Sequence, residues 1–328
     1  VRPALVATLL VVGCAARQPE PVGQVVWADP AARGAGGELI APAATVSPTT
    51  ARPRPMTVTL PALTLGNLRF RDVHECGAGE CVHAGSPVAP GAVAVEDGAT
   101  TLPPTSAWVQ VIRPGAAVQL PADPAVDVLG VTLVGAVSIE SPSAAGGSAA
   151  RAVAWTAFRA PGAGVVLRAV GAEPAAAVLI RASGGGSEAP ARPVLHDLST
   201  GETLRWAGGA MHARIAFEGQ ASPRASLGLL FASDDAAVAE HAHPGAWETL
   251  IALSAAGHLH LPAQRAGDRE LPARDRTVTD GTIVYVPAGV RHAWVPDGTH
   301  PLVAIQLYSP PGPEQRFRAL AATPETSP

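Results

Sequence analysis

The chain has 328 residues, room for about two domains of ~150 residues each; 47% of it is apolar and 15% charged, which excludes disorder throughout. The net charge is only -4 and no basic patch stands out, so no nucleic-acid partner is expected. All 23 basic residues are arginine, and the lack of lysine excludes a Schiff-base enzyme, a P-loop and a protein-kinase site. Frequent glycine (34) and proline (33) then favour many short strands over long helices.

The first residues are expected to direct export. Arg2 precedes an apolar run over 3–12, then small residues, the pattern of a secretory signal. The run is shorter than the ~20 residues of a membrane-spanning helix. Val11-Val12-Gly13-Cys14 resembles the lipobox of bacterial lipoproteins. That resemblance implies removal of residues 1–13 and a lipid on Cys14. It also implies a membrane-anchored chain facing the periplasm or outer membrane. Residues 14–56, rich in Ala, Pro, Gly and Thr, read as a disordered tether.

The segment His74-Glu75-Cys76-Gly77-Ala78-Gly79-Glu80-Cys81-Val82-His83 supports two readings. In an oxidising compartment Cys76 and Cys81 would close a small disulfide loop, the favoured reading. So short a loop contributes at most about 2 kcal/mol. Alternatively His74, Cys76, Cys81 and His83 form a symmetric set of zinc-type ligands, which demands a very tight hairpin. Downstream, residues 108–111, 131–134, 152–155 and 177–180 read as strands of a first β module over 57–182. The Gly/Ser/Pro-rich stretch 183–193 reads as its linker to a second module.

In that second module, over 194–320, residues 211–217 and 227–231 read as strands. Glu240-His241-Ala242-His243-Pro244-Gly245-Ala246-Trp247-Glu248 follows. Alternation along a strand puts His241 and His243 on one face. After the Pro-Gly turn, Glu248 can return a carboxylate to the same pocket. Further on, Gly281-Thr282-Ile283-Val284-Tyr285-Val286-Pro287-Ala288-Gly289-Val290-Arg291-His292 is an apolar strand ending in a turn that delivers one more histidine. Three imidazoles and a carboxylate suit one divalent transition metal, Fe, Mn, Zn, Ni or Cu, with positions left open for chemistry. Trp294, two residues past His292, is expected to line the pocket, and Arg291 to point away. His258 and His260 alternate with Leu259 and Leu261 and should face outward. His196, His212 and His300 are expected at the surface.

These two segments resemble the paired motifs of the cupin superfamily, G-x5-H-x-H-x3–4-E-x6-G and G-x5-P-x-G-x2-H-x3-N. His241, His243, Glu248 and Gly257 match the first, with eight residues rather than six before the glycine, and Gly281, Pro287, Gly289 and His292 match the second. The departures touch turns: Asp235 stands at the first motif's opening glycine, and Pro296 at the second motif's closing asparagine. The ending Leu307-Tyr308-Ser309-Pro310-Pro311-Gly312-Pro313-Glu314 is also similar to a tail that follows bacterial cupin domains.

In the first module, Phe158-Arg159-Ala160-Pro161-Gly162-Ala163-Gly164-Val165-Val166 echoes the second motif with Val166 at the place of His292. No histidine lies between His83 and His196. The resemblance therefore implies an all-β protein of two cupin-like jelly-roll barrels, the first degenerate and metal-free, the second metal-binding; for the first module a β-sandwich of another kind is the alternative. Residues 321–328 form a tail. The expected function is metal-dependent chemistry of oxygenase type on a small organic molecule. A non-catalytic module that binds a small molecule or sugar, and a structural metal, are the rivals. Oligomerisation is left open.

Overall fold

The computed structural model of the chain describes residues 25–27, 54–70, 73–76, 79–82, 103–141, 148–161, 164–184, 190, 192–266 and 269–323. Residue 14, where lipidation was expected, lies outside them. Two β modules follow one another, each built from two sheets that enclose an apolar interior. In the second module, Val25–Trp27, Ile283–Val286, Trp247–Ser254, Leu302–Ser309, Ser226–Ala232, Met211–Phe217 and Leu204–Trp206 form the larger sheet, in that order. Val238–His241, His292–Pro296, Ala256–Leu261 and Arg274–Thr279 form the smaller one. The helix Gln315–Ala322 follows. No helix among the described residues is long and apolar enough to cross a membrane.

The strands of the larger sheet read as continuous apolar runs because both of their faces are buried. Leu230, Ala252, Val284 and Ala304 point into the barrel. Their neighbours Leu229, Phe231, Ile251, Ile283 and Ile305 point the other way, into a core shared with Val109, Leu129, Val131, Val178 and Ile180 of the first module. Thr105 Oγ1 meets Thr249 Oγ1 at 2.9 Å across this seam, and the Tyr285 hydroxyl accepts from the Ala107 amide at 3.1 Å. His212, expected at the surface, is also buried. Its Nε2 donates to the Gly209 carbonyl (2.7 Å), and burial lowers its pKa.

The first barrel is filled. Trp108, Phe158, Ile139 and Leu167 occupy its interior, with the Phe158 ring laid across Gly130, where a Cβ would come within 2.4 Å of it. Residues 154–155, expected to continue a strand, form the turn of a hairpin in which Trp155 adopts φ 67°. Val73–Cys76 and Gly79–Val82 are strands that join different sheets, pairing with 109–112 and 116–119. Cys76 is buried. The Cys81 side chain and residue 83 lie outside the described residues, so the disulfide stays an expectation. Thiol titration should find both cysteines blocked until reductant is added.

The expected boundaries shift, because the modules exchange their outer segments. Val194–Asp197, placed by sequence in the second module, pairs with residues 156–159 of the first, and the Leu198 amide donates to the Trp155 carbonyl. Conversely, residues 54–70 lie on the second module. The Met56 amide bonds to the Gly209 carbonyl, and Arg54 pairs with Asp234 (3.1 Å) and Asp235 (3.2 Å). Met56, Val58 and Leu60 alternate inward onto the shared core. The tether is thus ordered at residue 54, and also at Val25–Trp27, which pairs in parallel with residues 283–285. Exposed polar residues and prolines hid this arm; its apolar residues are spaced by two and cover another element.

Gly281 marks where the arm passes. Its φ is +78°, and a Cβ there would stand 1.2 Å from the Arg69 carbonyl oxygen. Gly281→Ala is expected to cost more than ~1 kcal/mol, the scale of a strained backbone position, and to lift residues 68–70 off the barrel. Denaturant midpoint and proteolysis of the arm read the two effects.

Candidate metal centre

Four side chains converge inside the second barrel. His241 ends the strand Val238–His241, and His292 begins His292–Pro296, its partner, where the two stand opposite in register. Glu248 comes from the facing sheet, on Trp247–Ser254. His243 sits in the intervening turn; its carbonyl accepts from the amides of Ala246 (3.3 Å) and Gly289 (2.9 Å), tying both motifs together. One ligand atom from each of the four lies within 4.8 Å of the others. His243, Glu248 and His292 are buried and His241 is half-buried.

The hydrogen bonds set the chemistry of each ring. His241 Nδ1 donates to the Ala239 carbonyl (2.8 Å) and His292 Nδ1 to the Val290 carbonyl (2.9 Å), which aims both Nε2 atoms inward. His243 Nε2 and His292 Nε2 donate to Glu248 Oε2, at 3.1 and 2.8 Å. His241 Nε2 is buried with no protein partner. A nitrogen so placed is costly unless a cation takes its lone pair. An ion with ligand distances of ~2.0–2.2 Å needs only small shifts to close the set. The residues therefore form a site for a single divalent transition metal.

Glu248 Oε1, the oxygen not shared by the histidines, is held from behind. Gln306 Nε2 donates to it at 2.5 Å and the Tyr308 hydroxyl stands at 3.5 Å. The Tyr308 ring packs edge-on against His243, with centroids 4.8 Å apart. Neither residue was expected at the site. The available signal was a lone amide in the buried strand Leu302–Ser309. Trp294 lines the cavity as expected, its indole seated over Gly257, where a Cβ would meet it at 2.8 Å. Arg291 points outward to Glu240, His258 is exposed, and His260 bonds to Asp275 at 2.6 Å.

Electrostatics fixes the protonation states. Burial opposes the Glu248 charge, yet the bonds from His243 and His292 hold its pKa well below the usual carboxylate range. Burial, with the charges of His292 and Arg316 adding to it, pushes His241 down to about 4. For His292, burial works against the proton, but the hydrogen bond and charge of Glu248 outweigh it and raise the pKa. Burial, then the charge of Glu248, keeps the Tyr308 hydroxyl protonated.

An ion must displace the His292 proton, whose pKa lies above 6.5, whereas His241 does not compete until about pH 4. Metal affinity is therefore expected to fall by at least about tenfold per pH unit below the raised His292 value, the slope of one displaced proton. Competition titration with a chelator from pH 8 to 5 measures it. A flat affinity across that range contradicts the assignment.

No protein-family profile matches this chain, and neither does any curated protein sequence. Solved structures do resemble it. A structure addressing the substrate binding mode and a reaction-specificity switch of oxalate decarboxylase superposes with a TM-score of 0.52 at 14% identity, covering 63% of this chain and 69% of that one. The Bacillus subtilis oxalate decarboxylase studied for its Mn(II) centres gives 0.51 at 14% identity, with the same coverage. A single-residue variant of the same enzyme gives 0.52 at 13% identity. At such identities the likeness is one of fold: the chain has the bicupin, double jelly-roll architecture.

Proposed function

We propose that this chain is a metal-dependent enzyme with oxygenase-type chemistry on a small organic molecule, exported and held at the cell envelope by a lipid on Cys14. One observation carries the enzymatic part: the His241, His243, Glu248, His292 set opens onto an interior cavity of about 30 Å³. Space of that order holds about two water-sized groups, so a small substrate is admitted whole and a larger one only by its reacting end. Once bound, a metal with four protein ligands offers further positions to dioxygen and a chelating substrate, and supplies Lewis-acid and redox chemistry. Among the ions this donor set suits, Mn(II) is favoured by the Mn(II) centres of the similar B. subtilis fold.

The chain's own residues hold and shield the centre. Gln306 and Tyr308 fix one oxygen of Glu248, leaving the other for the ion. Leu230, Leu250, Leu259 and Val284 wall the cavity and keep water sparse. Acid–base reactions need a positioned titratable group. Among the described lining residues, Arg316 alone adds an ionisable side chain to the ligands. That favours chemistry carried by the metal over proton shuttling by the protein. The same observation favours a second reading, a binding module that captures a small ligand without turning it over.

Metal analysis followed by oxygen uptake separates these. Protein loaded with Mn or Fe should consume oxygen with some member of a panel of keto acids, carboxylates and phenols, and metal-free protein should not. Ligand binding without uptake or product supports the binding module. For the anchor, Cys14→Ser should abolish labelling by a fatty-acid probe and release the protein into the soluble envelope fraction.

A further inference from the structure

Arg316 stands at the partition between two spaces. It lines the interior cavity together with His241, Glu248, His292, Gln306 and Trp294. It also lines an outer cleft of about 440 Å³, with His243, Pro244, Pro310, Pro311 and Pro313. Its Nη2 donates to the Tyr308 hydroxyl at 3.2 Å, while its Nε is buried with no partner. No carboxylate among the described residues forms an ion pair with it; nearby Glu314 instead accepts from the Gly312 amide at 2.6 Å. A second donor is also unspent: Trp294, 6% exposed, lines the cavity and has a buried Nε1 with no partner.

The C-terminal helix holds Arg316 in place. Phe317 stacks on Trp206 with ring centroids 5.3 Å apart, and Arg318 pairs with Glu218 (2.7 Å) and Glu202 (3.1 Å). The guanidinium lies 6.0 Å over the Tyr308 ring and 5.1 Å over that of Phe317. With a divalent cation bound, Glu248 offsets only half of the ion's charge, and Arg316 adds another positive charge at the entrance. Such a site draws anions from the cleft inward.

We propose that Arg316 and Trp294 make this site selective for a small carboxylate. The guanidinium receives the carboxylate where cleft and cavity meet, and Trp294 Nε1–H donates to an acceptor atom of the bound molecule. This inference rests on the metal reading above. It names the substrate class and two binding residues, and it assigns the proline-lined cleft as the entry path.

The test uses the full chain loaded with Co²⁺, titrated with formate, acetate and oxalate, and with acetamide as the neutral isostere. Visible absorption of the cobalt reports entry to the metal, and the part of the Trp emission change that Trp294→Phe abolishes reports contact at Trp294. Carboxylates are expected to shift both signals in wild type and acetamide neither. Arg316→Gln should weaken carboxylate binding at least tenfold with cobalt content unchanged, and Arg316→Lys should recover part of the loss. Trp294→Phe should weaken binding without changing the preference for carboxylate over acetamide. Equal carboxylate affinity in Arg316→Gln, or acetamide binding as tightly as acetate, overturns the proposal. If wild-type protein retains no cobalt, the metal reading falls instead. The anion site is then judged by Trp emission and carboxylate-induced thermal stabilisation of the metal-free protein, each of which must depend on Arg316.

Discussion

Replacing His241 and His292 together with alanine is expected to reduce bound metal from one equivalent per chain to almost none, as read by elemental analysis after desalting. The two rings face each other across the smaller sheet with centroids 4.3 Å apart, so their loss removes one side of the ligand set. His292 also neutralises the buried Glu248 charge, so its loss should soften the second barrel. His241 offers the cleaner experiment. Its Nε2 has no protein partner, and an asparagine amide can take over the bond that Nδ1 makes to the Ala239 carbonyl, so His241→Asn removes a ligand atom at little cost to the metal-free fold. Metal affinity should collapse while the unfolding midpoint of metal-free protein barely moves. Gln306→Leu, which touches only Glu248 Oε1, should lower affinity by about 10–100-fold, the scale for groups that orient ligands. Wild-type protein that retains none of Fe, Mn, Zn, Ni or Cu would refute the centre altogether.

Asp127→Ala should be among the most destabilising single changes in the chain, at about 3–5 kcal/mol. Asp127 is fully buried between two arginines from different modules. Arg159 Nε and Nη2 reach its Oδ2 at 2.9 and 2.7 Å, and Arg224 Nη1 reaches Oδ1 at 2.8 Å. Each arginine also spans the seam to a carbonyl: Arg159 to Ala221 at 2.5 Å and Arg224 to Pro124 at 3.1 Å. Without Asp127 two buried guanidinium groups face each other uncompensated. For comparison, Ile305→Ala in the shared core should cost about 2–5 kcal/mol through cavity formation alone. Substituting Asp127, Arg159 and Arg224 together with apolar residues should restore much of the loss, because the penalty comes from unpaired charge. Urea unfolding of the three proteins decides it. A single-mutant change below ~1 kcal/mol would show that water or local rearrangement relieves the charges.

The metal ligands were legible because they obey local rules. Strand alternation was not the rule that places them, since the strand stops at His241 and His243 sits in the turn after it; spacing within the two motifs is what brings His241, His243, Glu248 and His292 together, all within short windows. Short strands were legible from apolar runs broken by glycine and proline, and the double-sheet form from the resemblance of the two motifs. What stayed hidden depends on partners distant in the chain. Gln306 lies 58 residues from Glu248 and Arg316 approaches from a helix, so no spacing links them to the motifs. His212 was misplaced because the Gly209 turn and the arm at Met56 lie against it in place of water. The same blindness assigned the arm to a tether and Val194–Asp197 to the wrong module: strand pairing is chosen in space, and a linker's composition does not say which edge a strand will join. Gln306 within Leu302–Ser309 and Arg159 within Thr156–Pro161, each flanked by apolar residues in a buried strand, are both bound to a buried charge.

The exchanged arm also constrains the order in which the molecule can be made. Arg54 emerges from the ribosome early, yet its partners Asp234 and Asp235 follow it by 180 and 181 residues, and the Gly281 turn comes later still. The first module can assemble its own sheets without the arm, but the second cannot finish its outer surface until residues 54–70 return to it. Contacts of such sequence separation form slowly, since loop closure must precede any gain from them. During that interval the apolar strip that Met56, Val58 and Leu60 will cover stays open to water and to other chains. Refolding should therefore show a late step, sensitive to protein concentration, that a peptide spanning residues 54–70 added in trans competes with.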